Sequence, residues 1–336
     1  GANITTTGDA VSFSGPVTLT DTASDLVTID TTSGPAPAGG NVAFGSTVNA
    51  AVAGGQSLAV NAGTGGDATF TGAVGTTRLG TLTVTNARDF IASSTVSANA
   101  IRQNAGQRLT RFDGLVTTTA ASGIDLDGAA FTFNDDVTAN SSGIVRVTNS
   151  GLLTVAEGAP IVADGGFTQD GAGAVSLADS ITTTGDAVSF SGAVTLADTA
   201  ADLVSIDTTS GSAAGANISF GSTVTGTTAG VQSLTVNAGT GGDATFTGAI
   251  GSTRIGTLTV TNARDFIASS TMTAAAIRQL AGQRLTRFDG IVNTSAAGGV
   301  DLDGAAFTIN DDVTSTGAGI FRVTNSGLLT IADGAP

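Results

Sequence analysis

The sequence predicts an all-β fold, a right-handed parallel β-helix (β-solenoid) of about 22 residues per coil. Three observations carry this expectation. A long segment occurs twice with little change, a short apolar unit recurs inside each copy at roughly coil length, and the alternation of apolar and polar residues has period two throughout.

The long repeat comes first. Ile4–Pro160 recurs as Ile181–Pro336, with Ile4 answering to Ile181 and, after a deletion near Pro37, Asn61 to Asn237. ITTTGDAVSFSG starts at Ile4 and at Ile181, RDFIASST at Arg88 and at Arg264, and DLDGAAFT at Asp125 and at Asp301. About four-fifths of the aligned positions are identical, and most changes are Val/Ile, Leu/Ile or small polar exchanges. Residues 1–180 read as the first large repeat: the repeat proper, 4–160, and a connector coil, 161–180. Residues 181–336 read as a second, truncated copy, the two forming one continuous solenoid. A second copy that stops at Gly-Ala-Pro implies a fragment of a longer array.

The short unit reads apolar, any, Phe or apolar, three residues, apolar. Val11-Ser-Phe13 with Val17, Val42-Ala-Phe44 with Val48 and Ala68-Thr-Phe70 with Val74 are its first members. The closing residues fall at 17, 48, 74, 96, 116, 137, 159, 181 and 194. The short last step and the long first one offset each other, so eight coils are expected per 177-residue repeat. Between the units lie second short segments such as Thr81–Val84 and Gly123–Leu126. Asn-Ala-Gly and Asp-Gly follow several of them, as sharp corners require. Two strands and their corners would then make one coil. The Thr and Val content supports strand. The right-handed form is expected because left-handed helices show tighter hexapeptide repeats. A string of immunoglobulin-like sandwiches is the rival fold, but it does not account for a 22-residue period.

Stacked coils require stacked side chains. The position four before each closing residue gives Phe13, Phe44, Phe70, Ala92, Phe112, Phe133, Val155 and Leu177, and the series resumes at Phe190. Where it shrinks to Ala92, the residue two earlier grows to Phe90, which conserves core volume. On the outer face, Arg102, Asp125 and Arg146 fall in successive coils, as do Arg278, Asp301 and Arg322 in the second copy. Opposite charges at one coil's spacing attract, so each trio is expected to form a surface charge ladder.

Composition narrows the function. The chain has 336 residues, net charge −15, 48 Gly, one Met and no Cys, His, Trp or Tyr; its twelve basic residues are all Arg. Without Cys there are no disulfides or thiolate metal sites. No apolar run is long enough to span a membrane. The acidic balance argues against nucleic acid and against anionic lipid.

TTTGDAVSFSG, NAGTGGDATFTGAV and GTLTVTNA resemble the repeats of very large Gram-negative surface proteins, the filamentous-haemagglutinin-like and autotransporter-like β-helical passengers. The likeness covers essentially the whole chain, but its motifs encode a coil and not an activity. It implies an extracellular or cell-surface location and a part in adhesion or in a fibre. The secretion domain and anchor of such proteins are not in this segment.

Candidate chemistry is sparse. Asp125, Asp127, Asp135 and Asp136, repeated as Asp301, Asp303, Asp311 and Asp312, are candidate Ca²⁺ ligands, against the plainer reading of solvated Asx turns. GTGGDATF at Gly63 has the form of a calcium nonapeptide but stands alone in each copy. Catalysis would rest on Asp pairs, as in a carbohydrate-active β-helix enzyme. The same Asp set recurs in both copies, as a scaffold's would, and the longest insertion is the Ser33–Gly40 region, so no enzyme and no catalytic residue is expected. Thr81, Thr83 and Thr85 suggest an ice-binding ladder that Arg102 and Asp125 interrupt. Arg88 and Arg108, beside Asp67 and Asp89, suit an acidic glycan or simple charge balance. The expected role is a structural rod of a long secreted or surface protein, or alternatively an adhesin shaft presenting a distal tip. Its partners would be further repeats, end to end or in lateral bundles, or surface glycans.

Overall fold

The structure, a computed structural model, describes residues 3–20, 26–34, 38–199 and 203–332. Among these every regular element is a β-strand, and the strands pair in parallel. Contacts divide the chain into two compact units, Gly1–Gly165 and Gly166–Pro336. Each is a parallel β-solenoid.

A coil has three strands, not the two that the sequence suggested. In the first unit Leu109–Phe112, Val116–Thr118 and Ile124–Gly128 make one coil. Ala130–Phe133, Val137–Ala139 and Val145–Asn149 lie in register on it. The residue that closes each short unit, such as Val116 or Val137, begins a strand of its own. Only a short corner separates Phe112 from Val116, so two faces read as one apolar run. The partner of Val137 is Ile161 and not Ala159.

Coil length varies at the corners. Phe13 pairs with Phe44 and Phe44 with Phe70 across long corners, whereas Ala92, Phe112 and Phe133 follow Phe70 at shorter and nearly even steps. In the second unit one register position runs from Phe167 to Leu329 in seven steps, which averages about 23 residues per coil. At that length one large repeat holds fewer than eight coils. The miscount has one source. Leu177 pairs with Leu196, while Phe190 stands between Gln169 and Phe220. Leu177 and Phe190 therefore occupy different columns, and the step from Ile181 to Val194 crosses faces without completing a coil. Of the long Ser33–Gly40 corner, residues 35–37 lie outside the described residues.

The core is a set of stacked inward columns. Phe13, Phe44 and Phe70 stack nearly parallel, with centroids 5.0 and 4.8 Å apart. Phe90 then meets Phe70 and Phe112 edge to face, at interplanar angles of 72° and 79°. Ala92 sits in register between Phe70 and Phe112, so the aromatic ring has moved two residues along the strand where the regular position became small. The second unit repeats the arrangement with Phe190, Phe220, Phe246, Phe266 and Phe288. Each buried Phe removes enough apolar surface from water to contribute about 1.5–3 kcal/mol.

Long strands break this regularity at one place per unit. Val74 pairs with Val96, and Leu79 with Ala98, so five steps on one strand face two on the next. Gly75, at φ +78°, turns the chain outward and Arg78 rides on the resulting bulge. Ile250, Gly251, Arg254 and Ile255 repeat it against Met272 and Ala274.

Candidate functional site

The inward positions are taken by packing, so any recognition chemistry sits on outward side chains and at corners. Strands alternate inward and outward residues, which places Arg102, Asp125 and Arg146 on one outer column of the first unit. Asp125 accepts from both arginines at 3.4 Å. In the second unit Arg278, Asp301 and Arg322 share a column. Arg322 holds Asp301 bidentately, with its Nε–H donating at 2.7 Å and Nη2 at 2.6 Å. Thr83 stands between Ala59 and Arg102 in register, so the threonine pattern does not extend along the column.

A second charge ladder occupies a corner. Arg88 binds Asp67 bidentately at 2.8 and 2.6 Å, and Arg108 lies 3.7 Å from Asp89. Its counterpart is tighter: Arg264 donates to Asp243 at 2.8 Å and Arg284 pairs with Asp265, which is only 7% exposed. A third site recurs as Arg111 on Asp113, completed by Asn134, and as Arg287 on Asp289, completed by Asn310.

A third ladder was not foreseen. Asn61 donates to Asp30 at 3.2 Å and to Thr32 at 2.9 Å, Asn61 pairs with Asn86, and Gln107 donates to Asn86 at 3.1 Å. Asp207, Asn237, Asn262 and Gln283 repeat it. Its signal in the sequence is the Asn that ends successive strands, a residue that also has a local use as a turn former.

The candidate calcium ligands are not gathered. Asp125 and Asp127 lie on the strand Ile124–Gly128, and Asp125 is engaged by two arginines. Asp135 and Asp136 lie past the next strand, where Asp135 accepts from the Asp136 amide at 2.8 Å. Asp301 and Asp303, and Asp311 and Asp312, are placed likewise, and Asp311 accepts from the Asp312 amide. Among the described residues no group of three or more such side chains could hold a metal ion.

The arginines set the carboxylate chemistry. The Arg322 hydrogen bond lowers the Asp301 carboxyl below its ordinary range, partial burial opposes it, and the charges of Arg322 and Arg278 add to the lowering. At Asp265 burial pushes upward, but Arg284, the Leu285 amide and the Arg264 charge prevail and the shift is downward. Both carboxyls thus move away from the range a general acid needs. The unfolded chain binds protons at higher pH than these folded carboxylates. Their contribution is therefore present above the unfolded value near ~4 and lost as pH falls through the folded values. Urea unfolding at pH 7, 4 and 3 is expected to show a falling midpoint at the acid end. Asp301→Asn is expected to lower the neutral midpoint and flatten that fall; an unchanged profile refutes the assignment.

No helix among the described residues is long and apolar enough to cross a membrane. No family model matches this chain, and no curated protein or solved structure matches it significantly.

Proposed function

We propose that the chain is a structural rod segment of a long secreted or cell-surface protein, wound right-handed and extended by adding coils. The observation that carries this reading is the in-register stacking of complementary residues within each unit: Phe on Phe inside, Arg on Asp outside and Asn on Asn at a corner. Such a coil specifies its successor, so length can grow without new folding information. The pairing of the carboxylates with arginines, and the lowered Asp265 and Asp301 carboxyls, support a scaffold and not a carbohydrate-active enzyme, and we assign neither a catalytic residue nor a cofactor. The partners in this reading are further copies of the repeat, end to end or laterally bundled, at the cell surface or outside the cell. The acidic balance disfavours nucleic acid.

The test is electron microscopy of purified chains carrying one, two and four copies of the large repeat. At about 4.8 Å per coil, each added copy is expected to lengthen the particle by about 37 Å at constant width. Particles that thicken, or separate into beads, refute the rod. An adhesin shaft is the second reading, on the strength of the exposed Arg108 and Arg284, each with one side toward solvent. Binding of the fragment itself to acidic glycans, lost in Arg108→Gln with Arg284→Gln, would favour it.

A further inference from the structure

We propose that the second unit carries a binding site for a primary carboxamide, built from Arg254, Ser295 and the Gly230 carbonyl. This goes beyond the scaffold reading and does not depend on it. The argument comes from comparing equivalent positions of the two copies.

In the first unit the bulge after Gly75 aims Arg78 at Asn99. The Arg78 Nε–H donates to Asn99 Oδ1 at 2.8 Å, and the Thr119 hydroxyl donates to the same oxygen at 3.1 Å. The Asn99 amide nitrogen donates in turn to the Gly54 carbonyl at 3.2 Å. One carboxamide thus satisfies two donors and one acceptor that belong to three other coils, the two before its own and the one after it.

The second unit keeps the frame and changes the centre. Arg254 rides on the same bulge, with Ile255 opposite Ala274 as Leu79 is opposite Ala98. Gly230 donates its amide to the Arg254 carbonyl at 2.7 Å, as Gly54 does to that of Arg78. The backbone amides of Ser295 and Ala296 reach the Ala275 carbonyl at 3.2 and 2.8 Å, as those of Thr119 and Ala120 reach Asn99 at 3.3 and 3.0 Å. The residue at the hub is Ala275, and the Arg254 Nε is buried with no hydrogen-bond partner. A buried donor without an acceptor is costly, and a group that supplies one binds with that cost as its driving force. Ala275, Ser295 and Gly230 are each half-buried. The Arg254 guanidinium leans over Gly230, where the Asn99 amide lies over Gly54, so a ligand reaches the hub by moving it back to the Arg78 position.

The donor set chooses the ligand. Arg254 and Ser295 supply donors for one oxygen, and the Gly230 carbonyl, counterpart of the Gly54 carbonyl that accepts from Asn99, offers an acceptor. A carboxamide provides both, whereas a carboxylate would set its second oxygen against that carbonyl. An asparagine or glutamine side chain presented by a partner has this chemistry, and so does free acetamide.

The test uses the full chain and acetamide as probe, read on the Nε–H signals of the twelve arginines. Arg254→Lys identifies the Arg254 signal by its disappearance, and Arg78→Lys that of Arg78. The expected result is a saturable shift of the Arg254 signal with acetamide while Arg78 stays still. Ala275→Asn should abolish that response and move Arg254 to an Arg78-like position, and Asn99→Ala should make Arg78 responsive. A capped asparagine tripeptide that shifts the same signal would identify a peptide side chain as a source. The proposal is overturned if Arg254 does not respond, if it responds equally in Ala275→Asn, or if acetate shifts it as strongly as acetamide.

Discussion

Phe44→Ala is expected to destabilise the first unit by about 3–5 kcal/mol. Phe44 is 1% exposed and stacks on Phe13 and on Phe70, so truncation opens a cavity between two rings and removes both ring contacts. The strands above and below are fixed by backbone pairing at Val42–Phe44, so they cannot collapse inward to fill it. Phe44→Leu retains most of the volume and should cost less than half as much. Chemical denaturation of the three proteins measures the difference. Equal midpoints for Phe44→Ala and the parent would show that the aromatic column does not hold the coils together.

Gly75→Ala is expected to cost about 3 kcal/mol or more, although it adds a single methyl group. Gly75 has φ +78°, where a side chain costs about 1–2 kcal/mol on its own. The added Cβ would also lie 1.9 Å from the Ser97 carbonyl oxygen, a backbone atom held in the next coil. Gly15→Ala is the control: nothing lies within 4 Å of its Cβ position, and its effect should be within about 0.5 kcal/mol. A Gly75→Ala variant as stable as the Gly15→Ala control would refute the close approach.

The parallel coil and its spacing were legible because each coil must present the same inward residues as its neighbours, and a stacked column leaves a period in sequence. The exchange of Phe90 for Ala92 was legible for the same reason, since volume is conserved locally. The third strand of the coil was not. Very short strands separated by equally short corners carry too little alternation to mark a boundary, so Phe112 and Val116 read as one unit. The misplacement of Phe190 after Leu177 followed from that missing face. At the surface, Arg102, Asp125 and Arg146 could be aligned because charges are rare in this chain. The Asp30, Asn61 and Asn86 ladder was hidden because Asn at a corner has a local explanation that needs no neighbour. The bulge at Gly75 was also unreadable, since a period-two pattern resumes on both sides of it.

The alternation of charge on the outer columns has a consequence for how such a chain finds its native threading. Inward positions are mostly apolar, so a strand that skips one coil still buries most of its core residues, and packing alone discriminates poorly between the two arrangements. The column of Arg102, Asp125 and Arg146 does discriminate. Skipping the middle coil would bring Arg102 directly against Arg146, turning two attractions into one repulsion. Exposed ion pairs that add little to the stability of the finished fold thus act as a parity check on its assembly, penalising omission of a single coil. In a protein built from nearly identical turns, that is where errors of threading would otherwise arise.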